Sequence, residues 1–393
     1  MQMIQILTIL TGLFPFVTIA SFGTDIQPWN IVFLVIMTTV IFNNSVKINR
    51  RLAVLFIPVG LAILLILIST DDLFSYVRSL LGYVVIALSP IVYYYIIDRN
   101  FNQFLKIIRL STYVWLGAAL IQYFVDPSMF GFLLNRISGG GDRGVVSLSP
   151  EPTFYGIVGI FYILIFLAID YRKNQRYIFL WILQIFFLAQ SSMAILFVII
   201  FMFYLLIFKP NIKLIFSCVF LVIFAVTALF FIDINEYTHI RAVSLFVSFL
   251  ENGIDIANLD PSINDRWSAI YFSLMGLLDN YLLPNGMASY AGYLSEQIQH
   301  NDYFWWVSVQ NRIMSYYGSI LFELGIVGLI VPFVYSSIVF RAYSCKKKDL
   351  ILYFVFINTI LFSAIQLSLP LVGMYIATLL YKIKIKNENS SYS

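Results

Sequence analysis

The chemistry this chain offers rests mostly on arginine. Arg78, Arg136, Arg143, Arg241, Arg266 and Arg312 stand apart from every lysine in the sequence. A guanidinium is a planar fork that meets phosphate or carboxylate with two bonds, whereas an ammonium is a point charge. Arg143 lies between Gly139-Gly140-Gly141-Asp142 and Gly144, and Ser149-Pro150-Glu151-Pro152 follows. Glycines let backbone approach a ligand closely, and Glu151 falls where an apolar helix begins, with Pro152 at its first position. A mobile loop ending in a carboxylate well placed at a helix N-terminus explains the same residues. The pair Asp71-Asp72 reads as a solvated helix start, with a divalent metal shared with a lipid phosphate as the second reading.

These residues need a scaffold, and composition says which kind. The 393 residues are 61% hydrophobic and 11% charged, a balance that belongs to a chain solvated by lipid. The net charge of +4 points to anionic lipid near basic loops and to no nucleic-acid partner. Cys218 and Cys345, in an apolar run and a basic loop, imply neither disulfide nor zinc. Met1–Ala20 has no basic n-region and reads as a retained helix.

Apolar runs at about 3–21, 28–43, 52–69, 74–97, 105–125, 152–170, 177–190, 192–208, 213–232, 314–340, 350–366 and 369–383 predict an all-α, polytopic membrane bundle of about 12 segments. The expected organisation is one membrane domain over 1–393 with two outer loops, 126–151 and 233–313. Every lysine, from Lys47 to Lys386, then falls on one side, which makes both termini cytoplasmic. That bias requires 177–208, interrupted at Gln190-Ser191-Ser192, to be a short hairpin. The tail from Lys386 is expected to be disordered, and Arg136 and Arg241 need no more than a lipid headgroup.

Within the large loop, Asn264 and Asp265 are expected to cap a helix from Arg266 that lays Trp267, Ile270, Tyr271, Leu274 and Leu278 against the bundle. Pro284-Asn285-Gly286 would end it in a turn, a second helix would cover 288–299, and Asp302 would cap the next segment. The loop aromatics read as an interface belt, with stacking on sugars as the second reading.

Five segments occur in a telling order: Arg143-Gly144 to Glu151-Pro152, Asp265-Arg266-Trp267, Leu283-Pro284-Asn285-Gly286, His300-Asn301-Asp302-Tyr303, and Glu323-Leu324-Gly325-Ile326-Val327-Gly328. The series resembles bacterial O-antigen polymerases of the Wzy type and the related O-antigen ligases. Two departures stand out: Arg266 to Gly276 is one residue shorter than the family spacing, and Ser191-Ser192-Met193 replaces a serine-arginine. The resemblance implies a metal-independent glycosyltransferase of the GT-C superfamily in the bacterial inner membrane, without cofactor. Its donor and acceptor would be polyprenyl-diphosphate-linked oligosaccharides, with membrane lipids and a chain-length regulator protein as partners. Arg266 and Arg143, with Arg78 or Arg312, would hold the diphosphate. His300 would be the general base, histidine titrating near neutrality, with Glu151 as the second candidate. Alternatives are a ligase that transfers to lipid A-core, and a lipid-linked oligosaccharide transporter. The latter predicts repeat symmetry and charges along a path through the bundle, and the sequence displays neither.

Overall fold

The computed structural model describes residues 2–18, 24–44, 50–68, 73–138, 144–208, 248, 251–255, 261–301, 303–304, 313–344, 347–363 and 365–391. Among them the architecture is all-helical, without strands. Among the described residues four stretches are long and apolar enough to cross a membrane: Arg50–Leu67, Ser75–Phe124, Pro152–Ala189 and Tyr316–Tyr343.

Helices α1 (Gln2–Leu13), α2 (Trp29–Asn43), α3 (Arg50–Ala53) and α4 (Phe56–Ile68) open the chain. The first is shorter than the expected 3–21 because Pro15 has no N–H to continue it; the Pro15 carbonyl instead accepts from the Gln27 N–H. Helix α5 (Leu73–Phe124) is two arms that break at Asn100, whose side chain donates to Gln5 Oε1 at 2.6 Å. Helix α6 (Pro152–Leu183) likewise breaks at Asp170, and that carboxylate accepts the Arg172 N–H at 3.0 Å, capping the second arm. Arg109 ties the breaks together through Asn174 Oδ1, at 2.8 and 3.1 Å.

The second arm of α6 runs into a π-helical turn, Gln184–Ala189. Gln190 then takes left-handed backbone angles (φ 45°), and α7 (Ser192–Phe208) follows. Gly159 stands against Trp181 and Ile185, and Gly156 against Ala194 and Ser191, so both sides of Gln190 return to the first turns of α6. That is the hairpin the lysine bias demanded.

Among the described residues there follow α8 (Pro261–Asp279), α9 (Tyr290–Ile298), α10 (Tyr316–Leu324), a 3-10 segment Gly325–Leu329, α11 (Ile330–Tyr343), α12 (Lys347–Phe362) and α13 (Pro370–Ser391). Helix α13 lies along α5 and α6 at the centre, close enough that a Cβ on Gly373 would lie 1.8 Å from Ser89 Oγ. Around Trp115 the core is aromatic, stacked on Tyr155 and Phe14 at 5.6 Å. The polar tips are satisfied: Trp181 Nε1 donates to Thr112 and the Tyr162 hydroxyl to Ser111.

Two expectations change here. The tail is helical through Ser391, because Lys384 reaches Asp98 at 2.6 Å and Lys382 stands over the Tyr343 ring. In α8 the buried stripe is Asn264, Ser268, Ala269, Phe272, Ser273 and Gly276, while Trp267, Tyr271 and Leu278 are exposed. Small residues decide this. Gly276 fits against Phe322 and Ser273 against Gly318, so α8 approaches α10 more closely than a face of Trp and Leu could. The helix begins at Pro261, so Asn264 is no cap; its amide donates to the Tyr303 carbonyl at 3.0 Å.

Candidate functional site

The polar residues of interest gather at the end of the bundle where α6 begins. Glu151 precedes the helix in extended conformation, and Pro152 opens it. Arg136 lies between two carboxylates. It meets Asp25 with both arms, Nε at 2.8 Å and Nη2 at 3.0 Å, and Nη2 also reaches Glu151. The Asp25 side chain is 6% exposed and that of Arg136 39%. Asp25, foremost, and Glu151 hold the guanidinium above its ordinary pKa against the opposing effect of burial. Arg136 is therefore an internal clamp joining three segments, so its place in the fold rests on two carboxylates and needs no lipid headgroup. One charge flanked by two opposite ones had no sequence signature, since Asp25 and Arg136 are 111 residues apart.

Arg266 reaches the same place from α8. Its Nη2 donates to Thr153 Oγ1 at 3.2 Å, in the first turn of α6, two residues beyond Glu151. Tyr303 lies against the start of α8 through the Asn264–Tyr303 bond. His300, three residues earlier, is exposed, its N–H donating to the Gln297 carbonyl. Among the described residues no hydrogen bond joins the His300 ring to Arg266, Glu151 or Arg78. Arg143, Arg312, Arg241, Asp71, Asp72, His239 and Asp302 lie outside the described residues.

The loop after Arg143 is built into the bundle. The Val145 N–H donates to the Leu188 carbonyl, and Ser147 exchanges two bonds with the Gln122 amide. A Cβ on Gly144 would lie 2.2 Å from the Ala189 carbonyl oxygen and 2.4 Å from that of Leu188. Both are backbone atoms, so Gly144→Ala must push the loop off the π-helical turn. The expected destabilisation is about 1–3 kcal/mol, visible as a lower melting temperature in detergent.

Arg78, on the first turns of α5, is exposed and forms no hydrogen bond or ion pair among the described residues. It stands between two cavities. The larger, about 500 Å³, includes Asp25, Gln27, Asn30 and Arg136 in its wall. The smaller, about 130 Å³, is lined by Ser79, Ser319, Tyr290 and Glu323. Arg78, Gly82, Gln366 and Ser368 line both.

Glu323, 7% exposed, accepts from the Tyr83 hydroxyl at 2.7 Å and from Ser79 Oγ at 3.3 Å. Sequence reasoning missed it as a site residue, although it opens the Glu-Leu-Gly segment. The Tyr290 hydroxyl is held protonated by burial, helped by the charge of Asp265.

The turn after α8 places this wall. The Ile326 N–H donates to the Leu282 carbonyl at 2.9 Å, and Asn285 uses both its N–H and its amide on the Phe322 carbonyl. Among the described residues no group of three or more His, Cys, Asp or Glu side chains could hold a metal ion.

Compared with family models and with curated proteins, the chain finds no match in either. At one end of the bundle the motifs supply a cation anchored at a helix N-terminus (Arg266), a buried carboxylate (Glu323) and an exposed imidazole (His300), and α5 adds Arg78, which has no hydrogen bond or ion pair among the described residues. Such a set can bind an anionic group, stabilise charge growing on a leaving group and accept a proton.

Proposed function

We propose that this protein is a membrane glycosyltransferase that polymerises polyprenyl-diphosphate-linked oligosaccharide repeat units on the outer face of the bacterial inner membrane. The observation that supports this is a convergence. Arg266 meets the α6 N-terminus beside Glu151 across 113 residues, and the Leu-Pro-Asn-Gly turn docks on the Glu-Leu-Gly segment. Motifs that resemble those of the polymerases thus form one assembly.

In this reading about 12 segments cross the membrane in a GT-C-like arrangement with both termini cytoplasmic, and the Arg266 end faces outward. A hydroxyl of one lipid-linked repeat attacks the anomeric carbon of another. A carbon–oxygen bond forms there as the bond from that carbon to the diphosphate oxygen breaks, and the lipid diphosphate leaves. Arg266 and Arg143, with Arg78 or Arg312, stabilise the charge that grows on it. His300 takes the proton of the attacking hydroxyl. Glu151 is a positioning residue in this scheme, since it is engaged by Arg136 and fixes the helix end that receives Arg266.

The test is purified protein given a lipid-diphosphate repeat unit as its only substrate. A ladder of polymers is expected, and His300→Ala should slow it by about 100- to 10,000-fold while the protein stays folded. Transfer only after lipid A-core is added would make the protein a ligase. A ladder unchanged in the His300→Ala and Arg266→Ala variants would overturn the mechanism.

A further inference from the structure

The larger cavity follows from the shortness of α2. Its 15 residues rise about 22 Å, less than the roughly 30 Å of a bilayer's hydrocarbon. Asn30, in its first turn, donates to the hydroxyl of Tyr93, which lies about four turns along α5 from Arg78. Helix α2 therefore begins well below the head of α5, and the cavity occupies the level that α2 does not reach. Its wall is divided by chemistry. One side is apolar: Val77 and Leu81, a turn apart on α5, face Ile26, Pro28 and Ile31 at the head of α2. Val77 is 42% exposed and the other four are half-buried, so all have surface to offer a ligand. Val35, one turn from Ile31 on the same face of α2, is 48% exposed, so the apolar surface continues from the cavity onto the outside of the bundle. The other side is charged. Asp25 is matched there by Arg136, whereas Arg78 forms no hydrogen bond or ion pair among the described residues. A wall so divided suits a ligand divided in the same way, an anionic group on a hydrocarbon chain. A free phosphate or a sugar would leave the apolar side unused. At about 500 Å³ the space falls in the range of small-ligand pockets, about 300–1,000 Å³. It suits the head and first units of a single-chain lipid better than a glycerophospholipid with two chains.

We propose that the larger cavity is a side entrance for the lipid diphosphate, with the diphosphate at Arg78 and the first isoprene units along Val77, Leu81 and Ile31. The inference rests on the lipid-diphosphate reading of this site and adds to it the seat of the chain. Its support is the amphipathic wall above α2 and the apolar surface that joins that wall to the outside.

The experiment uses the full chain in phosphatidylcholine nanodiscs, with farnesyl diphosphate carrying a diazirine on its last isoprene unit as the probe. After illumination, labelled peptides are located by mass spectrometry. Labelling is expected on the peptides that contain Ile31 and Leu81. Unlabelled farnesyl diphosphate should compete it away, while phosphatidylglycerol or inorganic diphosphate at the same concentration should not. Leu81→Trp fills the space and should reduce labelling by more than about tenfold. Val77→Asn sits at an exposed position where the fold loses little, and it sets an amide against the chain. It should reduce labelling by about tenfold at an unchanged melting temperature. Labels confined to other helices, labelling unchanged in both variants, or displacement by phosphatidylglycerol or by inorganic diphosphate would each overturn the proposal. The two readings fail separately: labelling of this cavity in a protein that forms no polymer keeps the chain's seat and removes the polymerase, and polymer formation by a protein labelled elsewhere does the reverse.

Discussion

Arg266→Ala is expected to reduce polymer formation by about 100- to 1,000-fold, the loss typical of removing one preorganised donor from a developing charge. That corresponds to about 2.7–4 kcal/mol of transition-state stabilisation. The side chain is suited to the task because it is held. It rises from the second turn of α8 and is half-buried, with its Nη2 on Thr153 at 3.2 Å. A donor already in place loses little rotamer freedom when the diphosphate arrives, and the α6 N-terminus adds a favourable field for an anion. Arg266→Lys keeps the charge and loses the fork, so its rate should fall between wild type and alanine. Single-turnover rates on the lipid-linked repeat unit, with melting temperatures alongside, check this. An alanine variant within about threefold of wild type would remove Arg266 from the chemistry.

Gly325→Ala should produce the largest loss of stability. Gly325 has φ 61° and ψ −147°, a region essentially reserved for glycine, so any L side chain is strained there by about 1–3 kcal/mol. Space is lacking too. A Cβ would lie 2.5 Å from the Leu282 carbonyl oxygen, 2.6 Å from the Leu283 carbonyl carbon and 2.7 Å from the Pro284 nitrogen. All three are backbone atoms of the turn that docks on α10, so the turn itself must move. Strain and overpacking together are expected to reach about 3–5 kcal/mol, enough to lower yield and melting temperature sharply. Because the turn also supports Ala288 and Tyr290 in the wall around Glu323, activity should fall further than stability alone predicts. Gly286, also at positive φ (93°), has open space around its missing side chain. Gly286→Ala therefore makes a useful control that carries strain without the clash.

Local features of this protein were legible in its sequence because they depend on neighbours in the chain. Apolar runs predicted helices, and Pro152 after Glu151 predicted where α6 starts. The lysine bias called for a reversal near Gln190-Ser191-Ser192, and there the chain takes left-handed backbone angles. The segregation of Arg136 and Arg266 from Lys384 and Lys386 was visible as well, and in the fold they belong to different ends of the bundle. What only the tertiary structure decided depends on packing across long separations. Periodicity assigned the buried face of α8 to Trp267, Tyr271 and Leu278, but close approach to α10 selected the small residues instead. Arg136 looked like a headgroup contact until Asp25 and Glu151 were seen to enclose it. Glu323 gained its place in a wall from Tyr83, 240 residues away. The cavity beside Asp25, Arg78 and Arg136 likewise exists only where helices distant in sequence leave space between them.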